Sequence, residues 1–287
     1  MALALLETGA AAAARDLAAE ACALAPEWPD AWFVLGEACE RAGAPDGAID
    51  AYRRCLALEP PDRLGAGPRL TLLGAAATPD RLPSAYVRTL FDQTARRFEE
   101  SLVGRLQYQA PQRLMQALEP FRTDLPLPLA VLDIGCGTGL MGPLLRPWAA
   151  RLDGLDLSPI MVAEAARKRI YDTVTVGDLI EVPQADAPRY GLAVAADVLC
   201  YVGNLEPAFS VIRRRLIERG HLAFTVEWGT DAPYALGPAQ RFLHEPATIE
   251  RWLSDAGFDR LACERTVLRR ERREPVDGLA VVARRKD

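Results

Sequence analysis

The spacing of apolar positions changes period twice along the chain. Over residues 1 to about 60 they recur every three or four residues among alanines, punctuated at Pro26, Gly43 and Pro60, which predicts a run of helices. Residues 59–83 mix prolines and glycines around one short helical stretch at about 70–77 and read as a linker. Helical spacing resumes at Ser84, a good N-cap, and runs through Phe91, Ala95 and Phe98 to about Glu100, then again over about 111–118. Beyond residue 128 the pattern becomes short β-branched runs alternating with helices. Strands are predicted at 129–134, 152–157, 173–176, 190–196 and 221–227, and helices at 140–149, after Ser158-Pro159, at 205–217 and at 246–256. Pro143 fits the first turn of the 140–149 helix, whereas Pro147 predicts a kink or early end. Residues 229–243 read as a loop, and strands near 258–267 and 278–283 close the chain. This alternation predicts an α/β fold around a mostly parallel sheet. The expected division is a helical region at 1–62, a linker at 63–83, cap helices at 84–125 and an α/β domain at 126–287.

Composition narrows the chemistry only by exclusion. A chain of 287 residues with 50% hydrophobic content can bury a full core and a small second domain. A formal net charge of −5 argues against broad nucleic-acid binding. The cysteines at 22, 39, 55, 136, 200 and 263 form no C-x-x-C pair and there are two histidines, so neither a zinc site nor a disulfide framework is expected. Glu7, Arg15, Asp16 and Glu20 interrupt the alanine-rich start, which is not read as a signal peptide, and no apolar run reaches membrane-spanning length. A reducing cytoplasm is the expected setting.

The stretch with chemical content is Val131-Leu-Asp-Ile-Gly-Cys-Gly-Thr-Gly-Leu-Met-Gly142. A buried strand carries Asp133 near its end, and Gly135, Gly137 and Gly139 follow before a helix start. Glycines permit positive φ and a bare backbone surface where a ligand lies against the chain. Two ligands compete. Gly137-x-Gly139-x-x-Gly142, with Asp156 downstream, satisfies the dinucleotide fingerprint. Asp133, however, would repel a pyrophosphate but could hold a cationic amino group, directly or through water. An amino-acid end plus a ribose describes S-adenosylmethionine.

At these residues the sequence resembles the class I S-adenosylmethionine-dependent methyltransferases, whose first motif, D-x-G-x-G-x-G, is filled by Asp133, Gly135, Gly137 and Gly139 around Cys136 and Thr138. The resemblance implies a Rossmann-like sheet of seven strands with the last antiparallel, and S-adenosylhomocysteine as product. It assigns Asp156, beside Leu157, to the ribose hydroxyls and Met161 to the adenine face. Asp178, between Gly177 and Leu179, would take the adenine amino group. Ala196 and Asp197 are candidates for the sulfonium end and Tyr201 for the acceptor side. No Pro-Pro follows Asp197, which argues against the nucleobase amino-methylation route. Glu227, Arg241 and His244 are further acceptor-side candidates, with His244, Glu227 and Asp197 as the available proton acceptors. The Arg269–Arg273 cluster reads as a solvated hairpin tip.

The N-terminal helices resemble tetratricopeptide repeats. Pro26 and Pro60 lie 34 residues apart, and Trp32, Leu35, Gly36, Ala48, Tyr52 and Pro60 occupy signature positions, with a degenerate unit over 2–28. The runs Tyr86–Phe98 and Tyr108–Pro111 resemble the cap helices of a bacterial group of repeat-containing methyltransferases, which places Tyr108 near the cofactor. The leading expectation is methyl transfer to an O, N or S nucleophile of a small molecule. Alternatives are protein methylation with the repeats capturing the substrate, a noncatalytic repeat scaffold, and a nicotinamide-dependent oxidoreductase. Self-association or a protein partner through the repeats is also expected.

Overall fold

The computed structural model describes residues 1–95, 108–125, 129–181, 188–229, 231–271 and 274–287. The chain forms two compact units, Met1–Thr89 and Leu90–Asp287.

The first unit is helical: α1 (Ala2–Glu7), α2 (Ala11–Leu24), α3 (Pro29–Arg41), α4 (Pro45–Leu58) and α5 (Ala66–Leu72). Pro29 and Pro45 open α3 and α4, where a missing N–H costs nothing. Helices approach closely because Ala14, Ala18, Ala38, Ala48 and Ala51 are buried at their crossings. Gly36 lies against the ring of Tyr52, and any Cβ there would overlap it. The stretch read as a linker is in part core. Its helix lies earlier than predicted, and Ala66 and Leu70 pack on Cys55 and Tyr52. The determinant is Asp62, buried at φ 55°, whose two carboxylate oxygens accept from Ala66 N (2.7 Å) and Gly67 N (2.9 Å) and so start the helix early. A sixth helix, α6 (Ser84–Thr94), contributes residues to both units.

The second unit is built on strands β1 (Leu129–Ile134), β2 (Ala149–Asp156), β3 (Thr173–Val176), β4 (Tyr190–Ala195) and β5 (Leu216–Trp228). They lie parallel in the order β3-β2-β1-β4-β5. Beyond β5 the chain adds β8 (Phe258–Glu271) and β9 (Glu274–Arg285). The last strand, β9, runs antiparallel between β5 and β8. These are the seven strands expected, with the reversed final one. Two more short strands, β6 (Tyr234–Leu236) and β7 (Phe242–His244), form a hairpin where a loop was expected, and β7 pairs with the tip of β5 at Glu227 and Trp228. Periodicity could not reveal strands of three residues.

Both sheet faces are covered, which is why the inner strands read as continuous apolar runs. Leu132, Ile134 and Phe224 face one layer with Phe209, Ile212 and Trp252. Val131, Leu192 and Val282 face the other with Leu114, Leu118 and Trp148. The helices in these layers include α7 (Ala110–Leu118), α8 (Gly142–Leu145), α9 (Pro159–Arg167), α10 (Glu206–Arg215) and α11 (Pro246–Asp255). The helix after the glycine motif is a single turn, shorter than the pattern suggests, and β2 begins at Ala149, three residues early. Pro147 cannot donate the N–H that would extend that helix.

Candidate active site

The C-terminal tips of β1, β2, β3 and β4 are where an open parallel sheet gathers its ligand. At the tip of β1, Gly135, Gly137 and Gly139 take φ of 62°, 54° and 89°, a left-handed run that side chains with a Cβ resist. Two protein neighbours set how tightly it winds. A Cβ at Gly135 would overlap Val198, and one at Gly139 would stand 3.0 Å from Tyr171 Cε2.

Three glycine amides of this turn are used within the protein. Gly137 N donates to Asp156 Oδ2 (2.8 Å), Gly139 N to Cys136 O (2.8 Å) and Gly142 N to Gly139 O (3.3 Å). A pyrophosphate needs such amides free and pointing at it. With the four-residue α8 behind them and carboxylates on both sides, the turn is unsuited to a dinucleotide.

Asp133 is 1% exposed beneath the turn, and Tyr171 Oη donates to its Oδ2 at 2.6 Å. Burial pushes its pKa up to about 7, against the lowering effect of the tyrosine bond; the Asp156 charge adds to the rise. Tyr171 was not anticipated. It lies just before β3 with no motif around it, yet its ring also abuts Gly142 and Gly154. Burial also raises the Cys136 and Cys200 thiols, which keeps both protonated.

At the tip of β2, Asp156 Oδ1 accepts from Ser158 N (2.8 Å) while Oδ2 holds Gly137 N. Each carboxylate oxygen has a second lone pair, so acceptor capacity remains for hydroxyls. Burial raises its pKa, opposed by these two backbone bonds. Ser158 caps α9 by accepting from Met161 N (3.0 Å) and donates its hydroxyl to Asp92 Oδ1 (2.5 Å). Met161 is fully buried behind that cap, and Leu157 is partly exposed beside it. At the tip of β3, Gly177 N donates to Asp156 O (2.8 Å), which ties the two tips together. Asp178 Oδ1 accepts from Ile180 N (2.9 Å) in a local turn, and Leu179 packs on the core.

The tip of β4 is strained and heavily braced. Asp197 sits at φ 60°, a conformation that costs roughly 1–2 kcal/mol for a residue with a Cβ. Its N–H donates to Thr225 Oγ1 (2.8 Å), and Tyr108 Oη donates to the neighbouring Ala196 O (3.4 Å).

Below this tip lies an ionic network that corrects the reading of a solvated hairpin tip at Arg269; residues 272 and 273 of that cluster lie outside the described residues. Arg269 is 1% exposed. Its Nη1 reaches both oxygens of Asp197 at 3.1 Å, its Nη2 donates to Glu227 Oε1 and its Nε donates to Glu271 Oε1 (2.8 Å). Arg241 joins through Glu271 Oε1 (2.5 Å), Glu227 Oε1 (3.5 Å) and Tyr201 Oη (3.4 Å). Burial pushes Glu271 up, but hydrogen bonds from Arg241 and Arg269 outweigh it and leave it below the usual carboxylate range. Phe91 stands edge-on to Tyr201, with ring centroids 5.5 Å apart.

The structure thus brings Asp197, Glu227, Arg241 and Tyr201 together, but it sets His244 apart as a base. That ring is wholly buried, with Nε2 3.0 Å from both Val202 O and Gly203 O. Two carbonyl partners require Nε2 to carry the proton, and Nδ1 is buried without a partner. Burial lowers its pKa to about 4, despite the carbonyl contacts. His244 pins β7 to the 202–203 segment. Among the described residues no cluster of side chains is arranged to hold a metal ion, and no helix is long and apolar enough to cross a membrane.

Residues 106–262 match the family described as a methyltransferase domain, and residues 29–62 match a tetratricopeptide repeat. A malonyl-[acyl-carrier protein] O-methyltransferase of Enterobacter lignolyticus is 32% identical over 129 residues, 45% of this chain and 51% of that protein. The chain therefore spans about half the length of that curated relative. The magnesium protoporphyrin IX methyltransferase of Synechocystis PCC 6803, crystallised with S-adenosylmethionine, aligns with TM-score 0.55 and 22% identity over 74% of this chain and 99% of that one. A 1,6-didemethyltoxoflavin N1-methyltransferase of Burkholderia thailandensis, with S-adenosylhomocysteine, aligns with TM-score 0.57 and 19% identity over 74% and 94%. At such identities the structural likeness speaks for the fold.

Proposed function

From the premise that this chain belongs to the methyltransferase-domain family, which it matches over more than half its length, we propose that it transfers the methyl group of S-adenosylmethionine to a nucleophilic atom of a small molecule. The observation that carries the reading is the state of the glycine turn. The amides of Gly137, Gly139 and Gly142 are spent internally while Asp133 and Asp156 flank the turn, an acceptor set that suits a nucleoside with an ammonium tail and repels a pyrophosphate.

S-adenosylmethionine supplies an activated methyl group on a sulfonium, so in-line displacement needs alignment and exclusion of water more than acid–base help. Asp133, closed off beneath the turn, acts on the ammonium through its field. Asp156 accepts the ribose hydroxyls with its free lone pairs, while Met161 backs the adenine side and Asp178 reads its edge. The β4 tip at Ala196 and Asp197 faces the methyl end, with Tyr108 above it. Tyr201 and Arg241 line the acceptor side. His244 serves as a structural pin in this scheme, and Asp197 and Glu227 act through their engagement with Arg269.

Calorimetric titration with S-adenosylmethionine and, separately, with a nicotinamide dinucleotide tests the reading. Binding of the first alone supports it; binding of the second, or of neither, overturns it. Release of S-adenosylhomocysteine against a panel of small acceptors then identifies the substrate.

The repeat match at 29–62 favours a second reading, in which the acceptor is a protein or is carried by one. The curated relative is named for a malonyl group carried on a protein. Removing residues 1–60 should then abolish turnover of a protein-borne acceptor while cofactor binding persists. Equal turnover by the truncated protein would exclude this reading.

A further inference from the structure

β8 does not run in regular register. Val267 stands opposite Asp277 and Arg269 opposite Val276, so Leu268 is an extra residue with no partner on β9. Such a bulge turns the following side chain from one sheet face toward the other. Its signature is direct: Leu268 and Arg269, adjacent on a strand, are both buried, at 0% and 1% exposure. Leu268 fills the bare face of Gly278, where any Cβ would overlap it. The carbonyl freed from the ladder accepts from Gln109 N at 2.8 Å, which fixes the backbone beside Tyr108. Two braces of the β4 tip therefore originate from one bulge. Tyr108 reaches Ala196 O from one side, and Arg269 holds the carboxylate of Asp197 from the other.

The charges in this cluster do not balance. Among the described residues, Asp197, Glu227 and Glu271 pair with two cations, Arg269 and Arg241, so this described set carries one more negative charge than positive. Arg269 is the buried member of the pair and Arg241 the accessible one, with side-chain exposures of 1% and 21%. At 1% exposure, and with contacts to three carboxylates, the Arg269 guanidinium is closed off from a ligand, so its influence on a ligand acts through those carboxylates.

We propose that Arg269 is a positioning residue for methyl transfer, carried into the sheet end by the Leu268 bulge, where it holds the strained Asp197 and trims the negative charge felt at the sulfonium end of the cofactor. The inference rests on the cofactor reading given above. Enough negative charge remains to favour a sulfonium, and enough is cancelled that the neutral thioether product is not excluded by contrast.

The test compares affinities for S-adenosylmethionine and S-adenosylhomocysteine, which differ by the methyl group and its positive charge, measured by calorimetry on the full chain. Arg269→Met should shift the ratio of the two affinities toward S-adenosylmethionine by about tenfold or more, since a unit charge is removed from a poorly screened site. Glu227→Gln should shift it in the opposite direction, and the double variant should return it near the wild-type value. Arg269→Lys keeps the charge and should leave the ratio unchanged while lowering turnover through lost bidentate geometry. Should Arg269→Met fail to fold, Glu227→Gln and Arg269→Lys still decide the matter. A ratio that stays fixed in Glu227→Gln, or that moves in Arg269→Lys, overturns the inference. Wild-type protein that binds neither probe would instead overturn the cofactor reading.

Discussion

Cofactor affinity should depend on pH in a way set by Asp133. This carboxyl is 1% exposed, and burial lifts its pKa to about 7. It is therefore half protonated near neutrality, and its field on an ammonium exists only in the ionised fraction. An ammonium about 6 Å away interacts with the ionised form by about 3 kcal/mol at an effective dielectric of about 20. That energy would lower the carboxyl's pKa in the complex by about two units, to about 5. Below pH 7 the dissociation constant should then rise about tenfold per pH unit and level off near pH 5, about a hundredfold weaker in total. An α-amino group near pKa 8 loses its own charge above that point, so affinity should peak between about pH 7 and 8. Calorimetry with S-adenosylhomocysteine isolates this effect from the sulfonium, and repetition in buffers of different ionisation enthalpy counts the proton released below pH 7. Asp133→Asn should flatten the acid limb and abolish proton release. Wild-type affinity that is constant from pH 5.5 to 7.5 would refute the reasoning, as would an acid limb that survives in Asp133→Asn.

Asp156→Ala should weaken S-adenosylmethionine binding by about 1–3 kcal/mol through lost hydroxyl contacts; unchanged affinity removes Asp156 from the site. It should also lower the melting temperature, because Gly137 N and Ser158 N lose their acceptor. Gly135→Ala should destabilise by about 1–3 kcal/mol, since its Cβ would overlap Val198 at φ 62°. A second change, Val198→Ala, should recover only the steric part, and full recovery in denaturant melts would show that φ carries no strain. Asp133 and His244 should oppose one another in acid. With its pKa raised from near 4 to about 7, Asp133 binds more protons folded than unfolded, so its contribution falls by about 4 kcal/mol as pH rises through that window. His244, lowered from 6.5 to about 4, binds fewer protons folded, so about 3 kcal/mol is lost as pH falls through its window. Stability of Asp133→Asn should therefore drop more steeply below pH 6.5 than wild type, and parallel curves would contradict the Asp133 assignment.

What was legible in the sequence is what a local pattern encodes. Asp133 with its three glycines, Asp156 before Ser158-Pro159, and the alternation of strand and helix each occupy a few consecutive residues, and the structure reverses the last strand as the resemblance implied. The turn of 66–72 escaped because its cause is one left-handed aspartate, Asp62, capping two amides ahead of it. Tyr171 escaped for another reason. Its partners, Asp133, Gly139, Gly142 and Gly154, lie between 17 and 38 residues upstream, and nothing near Tyr171 announces them.

Arg269 shows the limit most sharply, because there the local pattern pointed the wrong way. Six consecutive charged residues at 269–274 look like a tip turned to water, since burying one charge without partners costs far more than any strand gains. Burial becomes tolerable only when partners are waiting. Here Asp197 arrives from the β4 tip, Glu227 from the end of β5, and Glu271 from β8 itself. Glu227 has no reason to be buried without Arg269, and Arg269 has none without its three carboxylates. The cluster is therefore a property of the assembled sheet end, and the one-residue bulge at Leu268 decides whether it can form. A buried charge network of this kind stabilises little compared with apolar packing of the same volume. Its presence beside a strained aspartate, at the tip where the methyl group is proposed to sit, is better explained by the charge it sets there than by the stability it adds.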